Sequence, residues 1–501
     1  GVQHIGKVKY KDIVYSTLAI IVLIAIMQKF ATNKMSEMTI YFSLGACIIW
    51  CIALLAIQNS KLSKSIIGLI MMCLIFSESI ISGCVSYKFT QPQTPYTENI
   101  PNITKAVEYI DENKDGLYRT EQTKLLTRND PCIYGYDGMS TFSSMAYENF
   151  SQCQYSLGMF GNRINSFTYN TQTPVYNMMY GIKYLIDNDK AELSDNYYKL
   201  VYTTEDQKQT QVYENKYALP LCFTVPESIK DWDNTEGNPF DVQESLIDNA
   251  SGVSDVFVPV KYLNTQTESC VCEDITENGL YYISSTGTGS VTVTIETVKD
   301  SNIYVYADSK AVSNVTYYFN GGEESVNQST STPYIYDLGY HDKGESIRVS
   351  LDLAGSDSGD STLKFYAYNI DNDVLNSAYE MLELGAMNVT NHTDTKIEGT
   401  INAGYNGYIY TSIPYDEAWK VYVDGNETEV QALGKGRGED SNTDACQLII
   451  PTTQGEHEIT MKYRPGGIML GCIISAAGIL LLILSYLLKK WVNTHNDGNA
   501  K

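Results

Sequence analysis

Four stretches of the chain lack the alternation of apolar and polar residues that a water-facing element needs. Ile13–Phe30, Met38–Ile57, Ile66–Val85 and Gly467–Leu488 are almost uninterrupted apolar runs, and the last, "GIMLGCIISAAGILLLILSYLL", holds no charge. Each approaches the ~20 residues that cross a hydrocarbon core, whereas a buried core helix stays this apolar for only about 10–14. The runs predict four membrane-spanning helices. Between the third and fourth the texture changes. "TKAVEYIDEN" at Thr104–Asn113 sets Ala106, Val107 and Ile110 on one helical face. Short mixed segments such as "LYRTEQT" and "YALPLCFTV" follow. From about Gly279 a period of two takes over, in "SVTVTIETV", "NIYVYADS", "SIRVSLDL" and "TLKFYAYNI", punctuated by Gly, Asn and Asp. That pattern predicts a sandwich. Asp373–Leu384 reads as a helix, and a second strand set runs from "TKIEGTINA" to "HEITMKYRP". Within it, Asp424-Gly425 is a hairpin signal, because both residues tolerate the positive φ of a tight turn.

The predicted fold class is a membrane protein with four transmembrane α-helices and a large α+β domain ending in two β-sandwich-like units. Residues 1–88 hold three helices (13–30, 38–57, 66–85) and 89–265 a mixed α+β subdomain. Residues 266–372 form a β-sandwich, 373–395 a linking helix and 396–465 a second sandwich unit. Residues 466–490 form the last helix and 491–501 a tail.

Charge adds a direction. The chain has 35 Lys and Arg against 59 Asp and Glu, a net charge of −24. A surface that acidic excludes nucleic acid, whose binding requires cations that displace counterions. Lys7, Lys9 and Lys11 precede the first run, Lys61 and Lys64 separate the second and third, and Lys489 and Lys490 follow the fourth. The positive-inside rule then puts these flanks in the cytoplasm and residues 86–466 outside. Lys29 at the end of the first run, with Lys34 and Glu37 after it, is a weak dissent. The chain opens at Gly1 without a start methionine, so it is expected to be the C-terminal part of a longer protein.

Eleven cysteines divide between the apolar runs and six positions outside them, where an oxidising space permits disulfides. Cys132 and Cys153 are the pair to test, with free thiols the equal alternative.

Chemistry is sparse. "YGYDGMSTFSS" at Tyr134–Ser144 gathers hydroxyls and an Asp, but Phe142 stands where a serine-hydrolase elbow needs its second glycine. Asp111-x-Asn113-x-Asp115-Gly116 opens like an EF-hand, yet Gln122 occupies the place of the bidentate Glu, so a helix-ending turn is the better reading. "GKGRG" at 434–438 offers backbone N–H groups and two cations to an anion, and reads more readily as a strand connection. His457 alternates with Ile459 and Met461 and is expected on a packed face. Glu78 lies within the third apolar run. A carboxylate there costs about 2.5–3.5 kcal/mol, so it faces a partner or a wet cavity, or reaches the nearby interface. No metal or cofactor is implied.

Five stretches resemble the bacterial YfhO family of multi-spanning membrane proteins, placed in the GT-C class of glycosyltransferases. They are "YGYDGMSTFSS" at 134–144, "YGIKYLI" at 180–186, "VYENKYALPLCF" at 212–223, "SIPYDEAWKVYVDG" at 412–425 and "GEHEITMKYRPGGIMLG" at 455–471. The chain departs from the family at Glu417-Ala418 before Trp419, and in the polar insertion "GKGRGEDSNTDA". The resemblance implies a bacterial cell-membrane enzyme that moves a sugar from an undecaprenyl-phosphate carrier to a cell-envelope polymer such as lipoteichoic acid. The catalytic acid of that class sits in an early outer loop, so no catalytic residue is assigned here. Tyr136, Asp137, Ser140 and Ser143 are expected at a membrane-facing cleft, with Glu78 and Trp419 as further substrate-binding candidates. The alternative is a non-catalytic carbohydrate-binding or adhesion ectodomain on a membrane anchor.

Overall fold

The computed structural model describes residues 8–30, 37–58, 61–88 and 97–498, apart from 171, 192, 206–208, 236, 277–278, 285–288, 323, 330–331, 354–359 and 436–443. It divides into two compact units, 1–97 and 98–501.

The first unit contains three apolar helices, Tyr10–Phe30, Glu37–Gln58 and Lys64–Lys88. The second unit carries the fourth, Ile468–Gly498. Their spans have mean hydropathies of 2.0 to 2.6, and only 6% or less of each is buried within the protein. Side chains this apolar and this exposed need lipid or further helices as their solvent. The first three extend the apolar runs by up to three residues at an end, and the fourth runs ten residues past Leu488, because polar flanking residues continue the backbone hydrogen bonding.

The second unit starts with the helix Ile100–Asn113, which buries Ile103, Ala106, Val107 and Ile110, the spacing of one helical face. It lies against a four-stranded sheet in the order Arg119–Gln122, Ile182–Asp187, Gln211–Asn215, Tyr198–Thr203. The first pair is parallel and the other two antiparallel.

The first sandwich holds two sheets. One runs Lys261–Glu268, Ser290–Glu296, Ser346–Leu353, Val312–Phe319, Glu324–Ser329; the other runs Val271–Thr276, Leu280–Ser284, Asp360–Ile370, Ser301–Asp308, Tyr336–His341. Phe257–Pro259 adds to Asp360–Ile370, so the sandwich begins before the expected 266. Alternation places Val291, Val293 and Ile295 inside, beside Val349 and Leu351 of the neighbouring strand, in one core with Leu363 and Phe365 of the other sheet. Each such burial contributes about 1.5–3 kcal/mol relative to exposure.

The linking helix is shorter than expected. It covers Asn372–Glu383, capped by Asp371, whose carboxylate accepts from the N–H groups of Asp373 and Val374. Asn388–Thr393, assigned to that linker from the sequence, is instead a strand.

The second strand set is not self-contained. One sheet runs Asn388–Thr393, Lys396–Ala403, Gly455–Tyr463, Trp419–Val423, Asn426–Thr428. The other runs Gln431–Lys435, Asp444–Thr452, Gly407–Pro414 and then Cys222–Pro226, borrowed from the α+β region. Cys222 and Leu221 join Ile397, Ile409, Val421, Leu448 and Met461 in one core. Asp424 and Gly425 have φ of 52° and 77°, the paired positive values that close the hairpin between Trp419–Val423 and Asn426–Thr428. Cys132 is an exposed thiol and Cys153 a thiol buried in the core, so the pair singled out for test does not form and the alternative of free thiols holds for these two.

Candidate functional site

Glu121 organises the "YGYDGMSTFSS" loop. It sits on the strand Arg119–Gln122 and is fully buried. Its Oε1 accepts the N–H groups of Met139 and Ser140, and its Oε2 accepts the Ser140 hydroxyl at 3.2 Å. The Ser140 oxygen in turn accepts the N–H of Tyr169 at 2.9 Å. Burial pushes the Glu121 carboxyl up to about 7, against the downward pull of those donors. Two of the loop's expected site residues therefore point inward. Ser140 is committed to Glu121 and Tyr169, and the buried Tyr136 accepts from the side-chain amide of Gln122 at 3.0 Å. Gly138 keeps the turn tight, since a Cβ there would meet Pro131 Cγ at 2.6 Å.

Asp137 and Ser143 point outward. Asp137 pairs with Lys114 at 3.2 Å. Ser143 accepts the Met145 N–H at 3.1 Å and lines a small cleft of about 280 Å³ with Arg119, Thr141, Met145, Tyr147 and Pro414. The Arg119 guanidinium is fixed by Tyr180 O (2.7 Å), Ser412 Oγ (2.6 Å) and Ser412 O (2.8 Å). Burial lowers its pKa, partly offset by the neighbouring tyrosines.

At the mouth of this cleft three distant segments meet. Tyr147, just before the helix Glu148–Ser156, donates its hydroxyl to Asp416 Oδ2 at 2.6 Å. Tyr463, the last residue of its strand, donates to the same oxygen at 2.8 Å. Burial would raise the Asp416 carboxyl, but the Tyr147 hydroxyl, the Ala418 N–H and the Tyr463 hydroxyl outweigh it and hold it below the usual range. Trp419 packs its ring at 5.2 Å from Tyr463, and the Arg464 N–H donates to Ala418 O. The loop at 134–147, the turn at 412–419 and the strand end at 463 thus form one constellation. Five residues after Tyr463 the last apolar helix starts at Ile468.

Sequence reading missed Arg119, Glu121, Tyr147, Asp416 and Tyr463. Asp416 and Tyr463 stood inside stretches already singled out; nothing in "LYRTEQT" marked Arg119 or Glu121, whose roles depend on partners far along the chain.

Glu78 belongs to the membrane unit. It accepts the Trp50 indole N–H at 2.6 Å and lines a cavity of about 710 Å³ with Asp12, Ser16, Thr17, Ser43 and Ser82. Its partner is thus an indole donor, within a pocket of mainly apolar lining between apolar helices. His457 is less a core residue than expected: its Nδ1 lies 2.8 Å from Asp424 Oδ2 and its Nε2 2.9 Å from Thr453 O. That pairing with Asp424 raises its pKa. The "GKGRG" run lies outside the described residues beyond Lys435. Among the described residues no three His, Cys, Asp or Glu gather as metal ligands. Asp111 and Asn113 fall in the last turn of their helix, where Asn113 donates to Tyr109 O.

Comparison with known proteins supplies a lineage. In solved structures, TmCBM61 in complex with β-1,4-galactotriose is 10% identical, over 22% of this chain and 90% of its own, with a TM-score of 0.17. CBM29_1, a carbohydrate-binding module from Piromyces equi, is 12% identical over 23% of this chain and 88% of its own, also at 0.17. Likenesses this slight bear on neither fold nor ligand. Among curated proteins, the "Uncharacterized protein YfhO" of Bacillus subtilis (strain 168) is 22% identical over 399 residues, 76% of this chain. The chain spans 44% of that relative's length. The family model for the bacterial membrane protein YfhO matches residues 1–475, nearly the whole sequence, and the chain belongs to the YfhO family.

Proposed function

We propose that the chain is the C-terminal part of a membrane glycosyltransferase. It would take a sugar from an undecaprenyl-phosphate carrier to a cell-envelope polymer such as lipoteichoic acid, with residues 86–466 on the outer side of the membrane. The observation that carries this reading is the joining of Tyr147, Asp416 and Tyr463 by hydrogen bonds, with Tyr463 only five residues before the last apolar helix starts at Ile468. A lipid-linked donor is met only at the bilayer surface, and a constellation tethered there is placed to meet it. Arg119 and Ser143 line the cleft and Trp419 packs on Tyr463 of the constellation, while Asp137 is paired with Lys114 and is not among the lining residues. The task of the first three in this reading is to bind and orient sugar or carrier.

The test is sugar analysis of the surface polymer in a deletion strain complemented by full-length protein. Ser143→Ala combined with Trp419→Ala is expected to lower the polymer's sugar content while membrane insertion and protease resistance persist. Unchanged glycosylation would defeat the reading. Ser140 is unsuitable for this purpose, because its removal strips Glu121 of a partner.

One observation favours the second reading, a non-catalytic glycan-binding ectodomain. A cleft of about 1000 Å³ beside the first sandwich is lined by Tyr334, Tyr336, Tyr340, Asp337 and Glu345. Aromatic faces beside carboxylates suit stacking on and hydrogen bonding to a sugar. Glycan binding in a strain whose polymer is glycosylated normally without the protein would favour it.

A further inference from the structure

Around the Tyr147–Asp416–Tyr463 constellation the surface is unusually apolar for so acidic a protein. Met145 is 87% exposed, and Phe142, Ile133 and Ile164 are each close to half exposed. They belong to one loop cluster. Phe142 pairs in register with Ser166, the Ser143 N–H donates to Asn165 O, and Asn129 bonds both backbone groups of Phe142. These hydrogen bonds fix the apolar side chains on a braced backbone. Large side chains held rigidly in water, without a partner, mark a surface that meets something apolar.

The chain itself says what that is. The Tyr147 hydroxyl is 3.1 Å from that of Tyr463, and Met145 is two residues from Tyr147. Ile468, the first residue of the last helix, is five residues from Tyr463. Even fully extended, five residues reach at most about 18 Å. The helix span from Ile468 holds 24 residues. At 1.5 Å per residue it is about 36 Å long, enough to carry its first turn to the edge of a ~30 Å hydrocarbon core and into the headgroup layer. These short links keep Met145 and its loop close to the start of the last helix. Arg128 and Arg163 flank the loop cluster, the first bonded to Ser166 Oγ and the second lying over the Tyr155 ring at 3.8 Å. Cations beside exposed aromatic and aliphatic side chains are the pattern of an interfacial contact with anionic lipid.

We infer that the rim formed by Phe142, Met145 and Ile164 seats in the lipid headgroup–acyl boundary and clamps the second unit onto the membrane. The occupant is the bilayer itself, and the inference does not depend on sugar transfer. Braced in this way, the cleft lined by Arg119, Ser143 and Tyr147 opens at lipid level.

The experiment places the photoreactive residue p-benzoylphenylalanine at Phe142, at Met145 and, as a positive control, at Ile468, in full-length protein reconstituted into phosphatidylglycerol-containing vesicles. After irradiation, mass spectrometry is expected to find phospholipid adducts at Phe142 and Met145 as well as at Ile468. Adducts at Ile468 alone overturn the inference, and so do adducts at Phe142 or Met145 to a protein and not to lipid. Phe142 accepts the larger ring without a change of character, which keeps the test valid should the Met145 variant fold poorly. Loss of the adduct with normal glycosylation would refute the lipid contact and leave the transfer reading standing.

Discussion

Tyr147 and Asp416 stand 269 positions apart in the chain and are joined by a 2.6 Å hydrogen bond. Asp416 also accepts from Tyr463. One carboxylate therefore ties the signature loop to the last strand and, through it, to the membrane helix.

Asp416→Ala should loosen that knot. Two hydroxyl donors lose an anionic acceptor, and because the site is partly solvated the cost should be on the order of 1 kcal/mol. Limited proteolysis should then cut within 143–147 faster than in the parent. Asp416 titrates below the usual carboxylate range when folded. Its contribution is thus present above the unfolded pKa and lost as pH falls through the lower folded value, so parent and variant should converge in stability in strong acid. Equal proteolysis rates at neutral pH would show that the contact does not hold the loop.

Glu121 has the opposite sign. Its folded carboxyl is pushed up to about 7 from 4.5, and that of Asp337 to about 6 from 3.8, desolvation being the largest cause in both. Between these values the folded state binds more protons than the unfolded one, so stability is fully present below about pH 4 and falls as pH rises towards 7. Glu121→Gln keeps an oxygen for the Met139 and Ser140 N–H groups and removes the ionisation. It should flatten this slope, with an effect of about 3 kcal/mol between the ends of the window. Thermal melts of parent and variant from pH 4 to pH 8 measure it; parallel profiles would mean that folding leaves the Glu121 pKa unchanged.

His457 gains a partner in Asp424, and its folded pKa lies above the ordinary 6.5. The stabilisation it gives is complete below that value and disappears as pH rises through the folded pKa. His457→Gln should therefore cost stability at pH 6 and little at pH 9. A loss independent of pH would assign the residue to packing alone.

Gly385 tests how the linking helix docks on the borrowed strand. A Cβ there would collide with Thr224 Oγ1, beside the bond from the Thr224 N–H to Gly385 O. Gly385→Ala should destabilise by about 1–3 kcal/mol through overpacking. Gly404→Ala, where a Cβ meets nothing within 4 Å, should be nearly neutral. The two melting temperatures decide it.

The sequence by itself determined the elements whose signal is local. Four apolar runs, the face of Ile103, Ala106, Val107 and Ile110, the alternation of Val291, Val293 and Ile295, and the Asp424-Gly425 turn are each written in a few neighbouring residues, because lipid length, helical pitch, strand pleat and positive φ are local constraints. Tertiary structure alone decided what depends on distant partners. Cys222–Pro226 reads as any short strand until it pairs with Gly407–Pro414, and Glu121 reads as a strand carboxylate until the Met139 and Ser140 N–H groups close on it. Ser140 and Ser143 are alike in sequence, yet one is spent inside and the other lines a cleft, since a hydroxyl's availability is set by what surrounds it. The Tyr147–Asp416–Tyr463 knot is the extreme case. Its hydrogen bonds join residues 269 and 47 positions apart, and no spacing rule along the chain encodes a contact that only the folded sheets bring within 3 Å.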